Sequence, residues 1–449
     1  MANQQVLSRR DWMRLSAAGM FGASMSGWLE SLAEDTAKNP KRKNSVILLW
    51  MSGGPSQLDT FDMKPGHENG GEYKEIETAA PGVKISEYLP NLAKQMQHVC
   101  IVRSMSTKEG DHARATYLMR TGYRPQGPVH YPALGSLLSN ELGSSEGELP
   151  NYVSIGPYRF LSPAAYSPGF LGPQHSPLVV GGQGARFVRQ DGQGYEQALR
   201  VRNLDLPNDV TIEQADARLG LLKSLDDEFL ATRPGVTSKS HQTAYQKAVR
   251  MMRSSAVKAF NLNDEDDKLR DAYGRNQFGQ GCMLARRLVE RGVPFVEVSL
   301  NGVQGNQAFG WDTHLNNFEG VKRLCGILDP GWATLLNDLK TRGLLDSTLV
   351  VWMGEFGRTP KINTRQGRDH FPAAWTTVLA GGGIKGGQAF GKTNDDGMKV
   401  KDNPVSVPDF LSTVCMALGI DPMKQNMSNV GRPIRIVDPK AEPIKDILA

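Results

Sequence analysis

Ser45-Val46-Ile47-Leu48-Leu49-Trp50-Met51, closed by Ser52-Gly53-Gly54-Pro55, is a short apolar run with no alternation of polar residues. A strand buried on one face alternates apolar and polar side chains; one buried on both faces does not, and parallel sheets bury both. Similar runs recur at 98–102, 294–300, Thr348–Met353 and 375–380. Between them the apolar residues return at helical spacing, at 132–142, 276–291 and 318–342. Pro330, inside the last of these, predicts a kink or a break. Strand and helix in alternation predict an α/β fold on a mostly parallel sheet with helices on both faces.

The middle of the chain has another character. Residues 143–210 are rich in Gly, Pro and Ser and predict loops, whereas 211–273 are charged and helix-prone. Together, 143–273 form a loop and helix insertion, expected to shape and cap a cleft, within a single domain spanning 38–449. The segment after Arg432 is expected to pack on the surface. Gly381-Gly382-Gly383 lacks the Gly-Lys-Ser/Thr ending of a phosphate-binding loop and reads as a turn.

At the N-terminus, Ser8-Arg9-Arg10-Asp11-Trp12-Met13-Arg14 precedes a weakly apolar stretch at 15–25 that is too short to span a membrane. Paired arginines ahead of an apolar segment resemble the twin-arginine export signal, so residues 1–37 are expected to be a signal and lead-in. The implied location is periplasmic or secreted, the twin-arginine translocase is a partner during export, and no stable membrane span remains after cleavage. A net charge of +5, without a basic tract interleaved with aromatics, gives no support for nucleic-acid binding. Cys100, Cys282, Cys325 and Cys415 have neither metal-type nor redox spacing.

In open α/β sheets ligands bind beyond the carboxyl ends of the strands, so the polar residues following each strand are the candidates. They are Asp59 after the first run, Asp111-His112 after the second, and Trp311-Asp312-Thr313-His314 after the third. Gly354-Glu355-Phe356-Gly357-Arg358 follows the fourth, and Gly367-Arg368-Asp369-His370 precedes the fifth. A mixed carboxylate and imidazole set suits zinc, manganese or iron better than calcium. Each residue also has a plainer reading: Asp312 fits a helix cap, and Glu355 fits an ion pair with Arg358.

These motifs, with Gly53-Gly54-Pro55-Ser56-Gln57-Leu58-Asp59-Thr60-Phe61-Asp62, resemble a twin-arginine-exported, sulfatase-like bacterial family carrying a domain of unknown function (DUF1501). That family is placed in the alkaline phosphatase/sulfatase superfamily. The resemblance implies an alkaline-phosphatase-like layered sheet and a metal site for one or two divalent transition-metal ions, zinc or manganese. Asp312, His314 and His370 fill one ion's ligand positions. The second site is altered: Glu355-Phe356 stands where an Asp-His pair is usual, and His112 occupies the place of the nucleophilic hydroxyl. Asp59, His112 and Glu355 are the candidates to rebuild it, with Ser52, Ser56, Thr60 or a metal-activated water as nucleophile. Arg358, and next Arg114 or Arg368, are candidates to clamp an anion. No Cys-x-Pro-x-Arg segment exists, which argues against formylglycine chemistry. The expected activity is hydrolysis of a phosphate or sulfate ester on an anionic small molecule or polysaccharide. The alternative is a non-catalytic metal- or anion-binding protein that keeps the fold.

Overall fold

A computed structural model describes residues 44–125, 127–181, 194–232, 236–303 and 309–449. The export signal and most of its lead-in therefore lie outside the described residues. The opening run forms β1 (Ser45–Met51), every residue of which is buried. The other strands of the main sheet are β2 (Val99–Met105), β3 (Tyr152–Ile155), β4 (Leu178–Val180), β5 (Phe295–Leu300), β6 (Thr348–Met353), β7 (Trp375–Gly381) and β8 (Gln388–Phe390).

Their order across the sheet is β8-β2-β7-β6-β1-β5-β3-β4, with β1 central between β5 and β6, both parallel to it. Only β7 runs against its neighbours; all other pairs are parallel. The fold is thus α/β with a mostly parallel sheet. β3 and β4 extend it from within the segment expected to be all loop. They are brief and flanked by Gly and Pro, so no periodic signal announces them.

The two faces of β1 sort into two cores. Ile47, Leu49 and Met51 pack with α5 (Gln277–Glu290) and α6 (Asn317–Thr341). Val46, Leu48 and Trp50 pack with α1 (His112–Thr121), α2 (Leu134–Leu142) and α7 (Val407–Ala417). Burying a single Val, Leu or Ile contributes about 1.5–3 kcal/mol, so a strand buried on both faces anchors the whole sheet. α6 continues through Pro330 unbroken, because fully buried Leu328, Trp332, Leu335 and Leu336 hold both halves to the same core. The segment after Arg432 is not merely superficial: Ile436, Val437, Ile444 and Ile447 enter the second core.

The inserted helices are α3 (Ile212–Thr232) and α4 (Val236–Arg253). Ser240 of α4 accepts the Gln174 amide, and Arg250 donates to the Ser145 carbonyl. These contacts lean on the segments flanking β3 and β4, not on the polar residues beyond the carboxyl ends of β1, β5 and β6. All four cysteines are buried and free.

Candidate metal centre

Four loops and one helix start meet beyond the carboxyl ends of the parallel strands. Gly53 follows β1, Asp312 and His314 follow β5, and Glu355 follows β6. His112 is the first residue of α1, capped by Asp111, whose carboxylate accepts the Arg114 amide. His370 lies in a two-residue ribbon strand opposite Arg358. One ligating atom from each of His112, Asp312 and His370 falls within 4.8 Å of the others.

Asp312 is the hub. Its Oδ1 lies 3.3 Å from His112 Nε2, 3.1 Å from His314 Nε2, 3.2 Å from His370 Nε2 and 2.6 Å from Arg358 Nη2. The Nε2 atoms of His314 and His370 are 3.0 Å apart. Behind each imidazole stands an acceptor for its other nitrogen. His112 Nδ1 meets Glu355 Oε1 at 2.7 Å, His314 Nδ1 meets Asp369 Oδ1 at 2.7 Å, and His370 Nδ1 meets the Gly110 carbonyl at 2.8 Å. A carbonyl can only accept, so Nδ1 of His370 carries hydrogen and its Nε2, when neutral, offers a lone pair. Ionised Asp369, whose carboxyl is held low by the hydrogen bond from His314, imposes the same tautomer there.

Neutral imidazoles would therefore aim lone pairs at one another and at a carboxylate oxygen. Such a cluster requires positive charge in its midst, either protons or a metal ion. Burial opposes charge on His112, but the hydrogen bonds with Asp312 and Glu355 outweigh it and push the imidazole up to about 9. Burial would raise the Asp312 carboxyl, yet His112, His370 and Arg358 hold it well below the usual carboxylate range. An acceptor behind each ligating histidine is the usual support of metal-binding imidazoles. The residues present fit a nitrogen-rich site for a divalent transition ion.

The sequence candidates divide accordingly. Asp312, His314, His370 and His112 come together, and Glu355 stands behind His112, where it also accepts the Gly53 amide at 2.9 Å. Asp312 is no helix cap, since Asn316 precedes α6. Asp59 is a correction. It is fully buried and paired through both oxygens to Arg368, at 2.8 and 3.1 Å, and it accepts from Asn317 at 2.8 Å. A carboxylate neutralised in this way has no need of a second ion. Arg358 is also corrected as a substrate clamp. It has no exposed surface, and its three nitrogens bond to the Gly53, Gly54 and Arg368 carbonyls and to Asp312 rather than Glu355. Arg114 is exposed and paired with Glu109. Ser52 donates to Asn301 at 2.7 Å, while Ser56 and Thr60 are wholly buried. Three supporting groups have no role assigned by the sequence: the Gly110 carbonyl, the Gly53 amide and Asp369. Only Asp369 carried a signal, by its position next to His370.

Over residues 43–448 the chain matches the family described as "Protein of unknown function (DUF1501)". No curated protein matches it. Among solved structures it is similar to the PsFucS1 sulfatase from Pseudoalteromonas sp., at 14% identity over 88% of this chain and 72% of that one, with a TM-score of 0.35. It is also similar to a protein in the alkaline phosphatase superfamily from Vibrio parahaemolyticus, at 12% identity over 89% and 76%, with a TM-score of 0.37. A third is the lipoteichoic acid synthase LtaP from Listeria monocytogenes, at 10% identity over 92% and 80%, with a TM-score of 0.35. The match across nearly the whole chain places this protein in the DUF1501 family.

Proposed function

We propose that this protein is an exported, metal-dependent hydrolase of phosphate or sulfate esters, acting on an anionic small molecule or polysaccharide. The observation that carries the reading is the convergence of three imidazole Nε2 atoms on Asp312, each with its Nδ1 hydrogen-bonded behind it. His112, Asp312, His314 and His370 would hold zinc or manganese. Such an ion, held by these residues, would supply Lewis acidity toward an ester oxygen and toward water near neutral pH.

The chain's own groups supply the rest. Glu355, Asp369 and the Gly110 carbonyl fix the imidazole tautomers and ring orientations. Arg358 keeps Asp312 ionised and immobile. The side chains of Asp312, His314 and His370 retain 22%, 31% and 27% exposure, so an ester can reach the cluster from solvent. The motif resemblance to the alkaline phosphatase superfamily supports ester hydrolysis as the reaction class. Export through the twin-arginine translocase rests on Arg9-Arg10 in their sequence context. No helix among the described residues is long and apolar enough to cross a membrane.

One observation favours the second reading, a non-catalytic metal- or anion-binding protein. The three candidate nucleophiles Ser52, Ser56 and Thr60 are buried, and Ser52 and Thr60 are bonded away from the cluster. Metal analysis of the purified protein, followed by assay of phosphate mono- and diesters and aryl sulfates with zinc and manganese, separates the two. Hydrolysis abolished by His370→Ala supports the enzyme. Metal bound without turnover of any ester supports the binding protein. Absence of metal, with His314→Ala changing neither stability nor activity, defeats the metal-dependent hydrolase.

A further inference from the structure

Arg358 is already a cation at the centre. Its Nη2 lies 2.6 Å from Asp312 Oδ1, and its Nε donates to the Gly54 carbonyl at 3.0 Å. The same Nη2 meets the Gly53 carbonyl. Gln57 clamps its backbone from both sides, accepting from the Arg358 amide at 3.0 Å and donating to its carbonyl at 2.9 Å. Such a guanidinium has no exposed surface and no route by which to swing aside.

Resting on the metal-centre reading above, we infer that the site takes a single divalent ion of the zinc class, with Arg358 filling the place of a second cation. Asp59 and Asp369 are already engaged, and Glu355 is engaged through one oxygen. Asp59 is bound to Arg368, and Asp369 is bound to His314 and Asn363. Glu355 Oε1 is bound to His112 and Gly53, leaving Glu355 Oε2 as a buried oxygen without a partner. With the imidazoles neutral, as a bound ion requires, Asp312, Glu355 and Asp369 stand against Arg358, an excess of two negative charges. One divalent ion cancels that excess. A second would add charge beside a guanidinium that cannot leave. Three imidazole nitrogens to one carboxylate also disfavour calcium and magnesium, which prefer oxygen.

The test titrates metal-stripped full-length protein with Zn²⁺ by calorimetry and counts bound ions by elemental analysis. One ion per chain is expected, undisturbed by millimolar Ca²⁺ or Mg²⁺, and Mn²⁺-loaded protein should give the paramagnetic resonance spectrum of an isolated ion. Two ions per chain, or a spin-coupled manganese pair, overturns the inference while leaving the metal centre standing. Displacement of Zn²⁺ by calcium overturns its assignment to the zinc class. No bound ion overturns the underlying reading instead. Arg358→Gln, confirmed folded by circular dichroism, should admit a second equivalent, whereas Arg358→Lys should not. A folded Arg358→Gln protein that still binds one ion removes Arg358 from the explanation. If that variant does not fold, the wild-type stoichiometry remains decisive.

Discussion

Asp59 and Arg368 face each other through two hydrogen bonds with neither side chain exposed, 309 residues apart in sequence. Arg368 also donates to the Thr359, Pro360 and Asn69 carbonyls, and the residue after it supports His314. The pair thus locks the loop after β1 to the loop carrying His370. Removing one partner of a buried pair leaves an uncompensated charge and costs about 3–5 kcal/mol. Arg368→Met should lose stability of that order in urea denaturation. The double variant Asp59→Leu/Arg368→Met should recover part of it, the remainder being three orphaned carbonyls and the orphaned Asn317 amide.

Glu355 orients His112 without itself occupying the set of converging nitrogens. Loss of such a supporting carboxylate usually weakens metal binding about 10–100-fold. Glu355→Ala should show a weakening in this range by competition with a chromophoric chelator, with circular dichroism unchanged. An unaltered affinity would count against the supporting role.

The raised value for His112 carries a sign. Its folded-state value, about 9, exceeds its ordinary value of 6.5. Metal-free protein therefore gains stability that is fully present below about pH 6.5 and is lost as pH rises through about 9. In the presence of chelator, Tm should fall between pH 6.5 and 9.5, and His112→Gln should flatten that dependence. Metal affinity should move the opposite way, rising over the same interval as His112 gives up its proton. Calorimetry at several pH values reads both.

Gly53 has φ of +105°, and a Cβ there would lie 2.5 Å from the Asp312 amide nitrogen. Its own amide is held by Glu355 and its carbonyl by Arg358. Gly53→Ala should lose at least about 1–3 kcal/mol from backbone strain alone. Because the displaced neighbour is Asp312, metal occupancy should fall with it. A variant matching the wild type in both denaturation midpoint and metal content would show that the loop relaxes freely.

The sequence disclosed most clearly what one segment decides alone. β1 and β6 lie at their expected bounds because a strand buried on both faces is apolar throughout. β3 and β4 were hidden, since a few residues among glycines and prolines acquire strand geometry only from their neighbours. The strand-end rule named the residue types of the cluster, because chain direction in a parallel sheet sends the following loops to one edge. It could not tell Asp59 from Asp312: both are acids beyond a strand, and only the remote Arg368 distinguishes them. For the same reason the sequence leaves Arg358 available to a substrate, whereas in the fold the Gly53 and Gly54 carbonyls enclose it.

The clustered groups are scattered along the chain. His112 meets Glu355 across 243 residues, and His370 meets the Gly110 carbonyl across 260. An unfolded chain pays the loop-closure entropy of each such meeting before any donor set exists. At most a lone local pair, such as Asp312 with His314, is available early. Tight occupancy of the proposed metal site would therefore certify that β1, β2, β5 and β6 have found their partners. Under the proposed export with a bound metal, the seated ion would be a seal that only a finished molecule bears.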